Sequence, residues 1–474
     1  MKRIHMIGVC GTAMGALAGQ LVALGHDVRG SDAMFYPPMS DKLKEWGVKT
    51  LEGFNAAHLS PAPDLVIVGN VVRRDNPEAV EMRRQELSYL SMAEAIAEFM
   101  IQDRHSIVIS GTHGKTTTTA LGAHVLMALE KDPSYLVGGA LVGYSESFRR
   151  AGGPDFIIEG DEYDTAYFDK GPKFRHYRAK TALITSLEFD HADIFDSVAD
   201  VEAAFGLLIE STASDGHIVV AKSAPRAIEL LKALEFPGKV TSYSATDRDA
   251  DYFASGIQVG PDGTSFSLHV KGEEALSVTV ALWGVHSVEN ALGLFAAFEA
   301  RGYARDQIAK AMATFPGVKK RLEIIGSVGD ITVVEDFGHH PTAVELTLEA
   351  CRGRFPGKKL WAIFEPRSAT SRRNIFEDAY YRALKTADAA GVSSHPRLGE
   401  VPEEDRFEPQ RLVARLEEEG LRTVYGETAE ELHDALLEKS LAGDVIILFS
   451  NGDFGGLSHR LVASLKEREA SHGS

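Results

Sequence analysis

The chain has 474 residues, 44% hydrophobic and 25% charged, which is length for about three domains and a composition too apolar for a disordered polymer. Asp plus Glu is 68 against 50 Lys plus Arg, a net charge of -18 that argues against a general nucleic-acid or anionic-membrane binder while leaving room for a local basic phosphate pocket. With only Cys10 and Cys351, a disulfide framework and a cysteine-rich zinc site are not expected, and no apolar run reaches the ~18 residues of a membrane span.

Lys2 and Arg3 precede an apolar stretch, as in a secretory leader, but Gly8, Gly11 and Gly15 interrupt it where a strand turns into a helix. A cytoplasmic protein is therefore expected. Arg3–Ile7 reads as the first strand, and Met14, Leu17, Leu21 and Leu24 recur at helical spacing until Gly25. Strands at Asp27–Ser31 and Leu65–Val68 follow, then a helix from Met92 to Met100 and a polar stretch, Gln102–His105, that reads as a hinge. A second segment opens with the strand Ser106–Ser110, a glycine loop and a helix carrying Leu121, Val125 and Leu129 on one face. Phe156–Ile158 and Ala182–Ile184 are further buried strands. Asp247–Gly263 reads as polar and turn-rich, Ser265–Val270 as an added antiparallel element, and a helix starts near His286. After Phe315–Arg321, a third segment has strands at Ile331–Val334, Leu360–Phe364 and Val445–Phe449 and a helix at Pro341–Cys351 with proline in its first turn. Three runs of alternating strand and helix predict an α/β protein with parallel sheets covered by helices.

The strongest local signal is Gly111-Thr112-His113-Gly114-Lys115-Thr116, set between a strand and a helix. Backbone N–H groups of such a loop point at an anion, the lysine neutralises β- and γ-phosphate oxygens, and the threonine hydroxyl holds Mg²⁺. The loop is shorter than the usual eight-residue P-loop because position 109 is Ile. Glu159 closes a strand and opens Glu159-Gly160-Asp161-Glu162-Tyr163-Asp164, and His191 follows another; carboxyl ends of parallel strands are where ligands gather, and oxygen donors beside phosphate suit Mg²⁺ better than zinc. Asp336-Phe337-Gly338-His339-His340-Pro341 also joins a strand to a helix. Its aspartate suits a ribose hydroxyl, and on its own its histidine pair favours a structural or capping role over a metal site. The N-terminal glycines run Gly8-x-x-Gly11-x-x-x-Gly15 with Asp32 at the distance of a ribose-binding acid; the spacing is not G-x-G-x-x-G and does not choose NAD over another diphosphate.

Taken together and in this order, Gly111–Thr117, Glu159–Glu162, Asp190-His191, Gly284-Val285-His286 with Asn290, and Asp336–Pro341 resemble the Mur ligase family over nearly the whole chain. The resemblance implies three α/β domains: a Rossmann-like UDP-sugar domain at 1–103, a central P-loop ATPase with a mostly parallel sheet at 104–321, and a Rossmann-like acceptor domain at 322–474. It implies an ADP-forming amide ligase using ATP and Mg²⁺. Gly8–Gly15, Ser31–Ser40, Leu187–Asp196 and Phe364–Ser368 are similar to the branch that joins UDP-N-acetylmuramate to the recycled tripeptide L-alanyl-γ-D-glutamyl-meso-diaminopimelate. The branch that adds L-alanine in de novo peptidoglycan synthesis is the nearest alternative.

By that resemblance, Gly111, Thr112, His113, Gly114, Lys115, Thr116 and Thr117 would cradle ATP. Asn290 would contact adenine, Arg321 the phosphates and Asp336 the ribose; Thr116, Glu159 and His191 would hold Mg²⁺, and Lys115, Glu159 and His191 would form the catalytic set. Gly11, Thr12, Gly15 and Asp32 would lie near the uridine diphosphate, with His340 and Arg367 toward the incoming peptide. No lysine occurs between Lys180 and Lys222, so the carbamylated lysine of some relatives is absent, and Ser186 and Ser287 replace asparagines common among them. Partners implied are the UDP-sugar and the muropeptide, with no nucleic acid and no membrane. An NAD-dependent oxidoreductase built on the N-terminal turn and a non-catalytic UDP-sugar-binding sensor are the readings from other classes; the first leaves the Gly111–Thr116 loop unexplained.

Overall fold

A computed structural model describes residues 1–472 as two compact units. The first holds Met1–Phe189, Ser197–Tyr252 and Gly293–Ala311; the second holds Asp190–Asp196, Phe253–Leu292 and the chain from Met312 on.

The first unit contains two parallel sheets. Strands β1 (Arg3–Ile7), β2 (Asp27–Asp32), β3 (Lys49–Glu52), β4 (Leu65–Val68) and β5 (Tyr89–Ser91) form a five-stranded sheet in the order β3-β2-β1-β4-β5, every pairing parallel. The helix Thr12–Ala23 follows β1 and buries Met14, Leu17 and Leu21, as their spacing requires. The second sheet uses β6 (His105–Ser110), β7 (Ser134–Leu136), β8 (Phe148–Arg149), β9 (Asp155–Gly160), β12 (Thr181–Ile184), β13 (His217–Ala221) and β14 (Lys239–Ser244), with a small hairpin of β10 (Asp164–Ala166) and β11 (Asp169–Pro172) outside it. Within this unit the order is β14-β13-β12-β6-β9-β7-β8, parallel except for the edge strand β8. Ile107, Val108 and Ile109 of β6 are all fully buried, which is why that strand is a continuous apolar run rather than an alternating one.

In the second unit, β15 (Tyr252–Gly260), β16 (Gly263–Val270) and β17 (Glu273–Val280) are successive neighbours, with β16 and β17 antiparallel. A six-stranded sheet follows, made of β18 (Glu323–Val328), β19 (Ile331–Asp336), β20 (Lys359–Phe364), β21 (Ala389–Ser393), β22 (Arg422–Gly426) and β23 (Asp444–Phe449) in the order β18-β19-β23-β20-β21-β22. Only β18 runs antiparallel. Trp361, Ile363, Ile446 and Leu448 face one core of this sheet; Leu360, Ala362, Phe364 and Phe449 face the other.

Two expectations are corrected. Asp247–Gly263 is not a run of turns: its middle, Tyr252–Gly260, is a nine-residue strand whose buried Tyr252, Phe253 and Ala254 were hidden among polar neighbours. The helix from Met92 is α-helical only to Ala95 and continues as a π-helix over Ile96–Ile101, where five apolar side chains are buried.

One charge sits wholly inside the first unit. The Glu78 carboxylate accepts from His5 Nε2 at 2.8 Å, Ser31 Oγ at 2.5 Å, the Asn55 N–H at 3.1 Å and His58 Nδ1 at 2.7 Å. Burial alone pushes its pKa up, but the His5 and Ser31 hydrogen bonds and the His5 charge outweigh that and hold it below the ordinary glutamate value. A depressed folded pKa stabilises above the unfolded value and loses that contribution as pH falls through the folded one. Glu78→Gln is therefore expected to cost about 3–5 kcal/mol at neutral pH and to flatten the fall of Tm between neutral and acid pH; an unchanged Tm profile would contradict this.

Candidate active site

The Gly111–Thr116 loop leaves the carboxyl end of β6 and runs into the helix Lys115–Ala128. Gly111 has φ +142°, and a Cβ there would lie 2.0 Å from Thr185 Oγ1 and 2.8 Å from the Ser186 nitrogen. Only glycine lets the loop pass under the end of β12. The loop is tied to that neighbour at several points: the His113 N–H donates to Ser186 Oγ at 2.8 Å, and Thr112 Oγ1 accepts from the Glu188 N–H at 2.8 Å and donates to the Glu188 carbonyl at 3.1 Å. Ser186 thus anchors the loop directly.

Lys115 Nζ donates to the Gly111 carbonyl at 2.6 Å and to both oxygens of Glu162 at 3.0 and 2.9 Å. Its side chain is 13% exposed and that of Glu162 3%. Desolvation lowers the lysine pKa, but Glu162 and Asp161 outweigh it and the net shift is upward, so the ammonium is charged. Thr116 Oγ1 donates to Glu159 at 3.0 Å, and the Gly138 N–H donates to the same carboxylate. Burial, then the neighbouring Asp161, raises the Glu159 pKa against those two hydrogen bonds. Asp161 is also desolvated, yet Lys173 at 2.8 Å, together with Lys115, holds it below the aspartate range. Three carboxylates therefore face two ammonium groups at the ends of β6 and β9. The excess negative charge beside a threonine hydroxyl fits a hard divalent cation.

In the N-terminal sheet, Asp32 ends β2 and turns back on the glycine turn. Its carboxylate accepts the Cys10 N–H at 2.8 Å and the Ala33 N–H at 2.7 Å. Gly11 and Thr12 are exposed at the start of the helix Thr12–Ala23, and Gly15 is buried within it. Asp32 and the turn are thus brought together, separately from the Lys115 cluster.

The second unit carries the other expected residues. His191 has φ +55°. The preceding Asp190 carboxylate accepts from the His191 N–H at 2.7 Å and from Thr370 Oγ1 at 2.9 Å, and His339 Nε2 lies 3.8 Å away. Asp190 is buried, which pushes its pKa up, but His339, His191 and His340 together hold it well below the aspartate range. Asp336 faces inward: it accepts the Leu322 N–H at 2.9 Å and the Gly338 N–H at 2.7 Å, and burial raises its pKa against the nearby Arg321. The Arg321 guanidinium lies 4.7 Å from the Phe337 ring centroid. His340 caps the helix Pro341–Arg354, accepting the Thr342 N–H at 3.3 Å. Asn290 is buried on the helix Val285–Ala300, and Arg367 is exposed beyond the end of β20.

Some functional neighbours have no sequence signal. Lys173 reaches Asp161 from a 3₁₀ turn, and Thr370 reaches Asp190 across 180 positions of chain. Neither belongs to a spacing pattern.

Comparison with known proteins gives these sites a family. The chain matches the Mur ligase family catalytic domain over residues 3–104, the Mur ligase middle domain over 109–298, and the Mur ligase glutamate ligase domain over 320–452. It is 36% identical to UDP-N-acetylmuramate–L-alanyl-γ-D-glutamyl-meso-2,6-diaminoheptandioate ligase of Haemophilus influenzae, over 98% of this chain and 100% of that one. The Escherichia coli protein of the same name is 34% identical over 99% of this chain and 100% of its own length. The crystal structure of a murein peptide ligase from Psychrobacter arcticus superimposes with a TM-score of 0.69 at 33% identity, covering 98% and 99% of the two chains. These matches define an α/β ligase with three Mur ligase domains in succession. The chain belongs to the Mur ligase family.

Gly111→Ala is expected to lower stability by about 2–4 kcal/mol, because the new methyl displaces Thr185. Gly143 also has a positive φ (+79°) but open space around it, and Gly143→Ala is expected to cost about 1 kcal/mol. Equal denaturation midpoints for the two variants would contradict this account of the loop.

Proposed function

We propose that this chain is an ATP-dependent ligase that joins the carboxylate of UDP-N-acetylmuramate to the amine of L-alanyl-γ-D-glutamyl-meso-diaminopimelate, in peptidoglycan recycling. The observation that carries the reading is the Lys115–Glu162–Gly111 cluster at the head of a strand-to-helix glycine loop, in a chain that follows relatives of that name from end to end. The proposed division of labour is a UDP-sugar domain at 1–103, an ATP-binding domain at 104–321 and an acceptor domain at 322–474.

A carboxylate and an amine do not condense unaided in water. Attack of the UDP-N-acetylmuramate carboxylate on the γ-phosphorus of ATP breaks the bond to ADP and gives an acyl phosphate. The peptide amine then attacks the acyl carbon, and the tetrahedral adduct collapses to amide and inorganic phosphate. Because the transferred group carries dense negative charge, catalysis is mainly positioning and neutralisation. Lys115 meets the β- and γ-phosphates, and the loop Gly111 through Thr117 cradles them, through N–H groups other than those of Thr112 and His113, which Ser186 takes. Thr116, Glu159 and His191 are the proposed Mg²⁺ ligands; when bound, the ion neutralises phosphate oxygens. Asn290 is assigned to adenine, Arg321 to phosphate and Asp336 to the ribose end. Gly11, Thr12, Gly15 and Asp32 are assigned to the uridine diphosphate, and His340 and Arg367 to the acceptor.

Lys115→Met keeps the aliphatic stem and removes the charge that faces the buried Glu162. Turnover is expected to fall by at least about a thousandfold, with the nucleotide-induced rise in Tm lost and the fold retained. Phosphate release with UDP-N-acetylmuramate is then read against a panel of L-alanine, dipeptide and tripeptide. Tripeptide-dependent release in the wild type and none in the variant is the expected result. Robust release with free L-alanine alone would move the chain to the other branch, and release by the variant at the wild-type rate would remove the phosphate role.

A further inference from the structure

A small hairpin ties together the two sheets of the first unit. Strands β10 and β11 leave the phosphate cluster just after Glu162 and return to it at Lys173. Both feet of the hairpin therefore stand in the charge balance described above. At one foot Glu162 holds Lys115; at the other Lys173, itself buried, holds Asp161 at 2.8 Å.

The hairpin between those feet is braced along its length. Thr165 Oγ1 donates to the Gly171 carbonyl at 2.8 Å and Lys170 Nζ to Asp164 at 2.6 Å. The Gly171 N–H donates to Asp169 at 3.0 Å, and His176 Nε2 lies 2.6 Å from the same carboxylate.

Its tip belongs to the other sheet. Tyr167 and Phe168 pack against the N-terminal core formed there by Leu59, Val66, Val68, Ala79 and Met82. Phe168 also meets the Tyr89 ring edge-on, with centroids 4.9 Å apart. Two aromatic side chains from the middle of the chain thus complete the core of the first sheet, and anchor the hairpin by the burial of apolar surface.

Arg83, on the helix Pro77–Arg84, fixes this tip in place. Its Nη1 donates to the Tyr167 hydroxyl at 2.6 Å and its Nη2 to the Arg74 carbonyl at 2.7 Å. Arg74 lies in the loop that leaves β4, and that loop lies against the N-terminal glycine turn. Its Gly69 N–H donates to the Ile7 carbonyl at 3.0 Å, and Val72 stands 3.4 Å from where Gly8 would carry a Cβ. The outer part of the loop is open, with Val71 79% exposed and Arg73, Arg74 and Asp75 also exposed.

An unbroken run of contacts therefore leads from the glycine turn through Val72, the Arg74 carbonyl, Arg83 and Tyr167, and down the hairpin to Asp161, Glu162 and Lys115. One end is an exposed loop and the other a set of desolvated charges whose directions matter. A ligand that orders the loop also fixes the hairpin, and a second ligand then meets a site already ordered. We propose that this hairpin couples the two nucleotide sites, with Arg83 and Tyr167 as the positioning residues through which a sugar nucleotide on the glycine turn sets the acids that hold Lys115. Each nucleotide then strengthens the binding of the other. This rests on the ligase function proposed above.

The test is calorimetric titration with a non-hydrolysable ATP analogue and Mg²⁺, with and without saturating UDP-N-acetylmuramate, and then with the order of the two reversed. In the wild type each nucleotide is expected to tighten the other by about five- to tenfold, by the same factor in both orders. Tyr167→Phe removes only the hydroxyl, and Arg83→Met removes the fork that spans the tip and the loop. In both variants the affinity for each nucleotide alone should stay within about twofold of wild type, while the coupling factor falls to about one. A wild-type coupling factor in both variants, or a wild type that shows no coupling, would overturn the proposal while leaving the ligase reading in place. A wild type that binds neither nucleotide would overturn the ligase reading first, and the coupling with it.

Discussion

A desolvated charge balance organises the centre of this molecule. Lys115 is held at 2.9–3.0 Å by Glu162 in a place with little water to screen either group. Losing one member of such a pair is expensive, because the other is left buried and uncompensated. The same pair fixes where the ammonium points, at the mouth of a loop whose backbone is set by Gly111. Lys173 does for Asp161 what Lys115 does for Glu162, and lies 4.1 Å from the Tyr163 ring centroid. Glu159 has no lysine of its own; its partners are a hydroxyl and a backbone N–H. Of the three acids it is the one disposed to take a cation.

The sheets explain why these groups collect. Parallel strands all present their carboxyl ends on one edge, so loops that are distant in sequence become neighbours there. Glu159 closes β9 beside β6, the strand that feeds the glycine loop. Asp32 closes β2 beside β1 and its own glycine turn. In the second unit Asp336 closes β19, and Arg367 follows β20. The polar chemistry stands on ends of strands with largely buried interiors, wholly apolar at Ile107–Ile109 of β6, Phe156–Ile158 of β9 and Leu360–Phe364 of β20, and the rigidity of those interiors positions it.

How much of this could be read beforehand follows from the range of each interaction. Buried strands such as Ile107–Ile109 and Ile446–Leu448 announce themselves because every residue in them is apolar. The glycine loop, Glu159 and the Asp32 turn are local patterns and were expected where they occur. Tyr252–Gly260 was misread because its apolar residues cluster at one end and Ser255, Gly256 and Gln258 dilute the rest. Asp336 shows a limit of motif reading: its position was expected, but its oxygens are engaged with the Leu322 and Gly338 amides in a way no spacing announces. The Lys173–Asp161 pair, the Thr370–Asp190 bond and the Arg83–Tyr167 bond join distant segments through side chains with no periodic signature, and only the folded chain discloses them.

The claim beneath all of this is that the glycine loop and its lysine hold a phosphoryl group for transfer to a carboxylate. Isotope transfer measures that directly. UDP-N-acetylmuramate labelled with ¹⁸O in its carboxylate is turned over with ATP and tripeptide, and the inorganic phosphate is analysed by mass. One ¹⁸O atom per phosphate released is the predicted result, because the oxygen that attacked phosphorus leaves with it. Unlabelled phosphate accompanying amide formation would contradict the account.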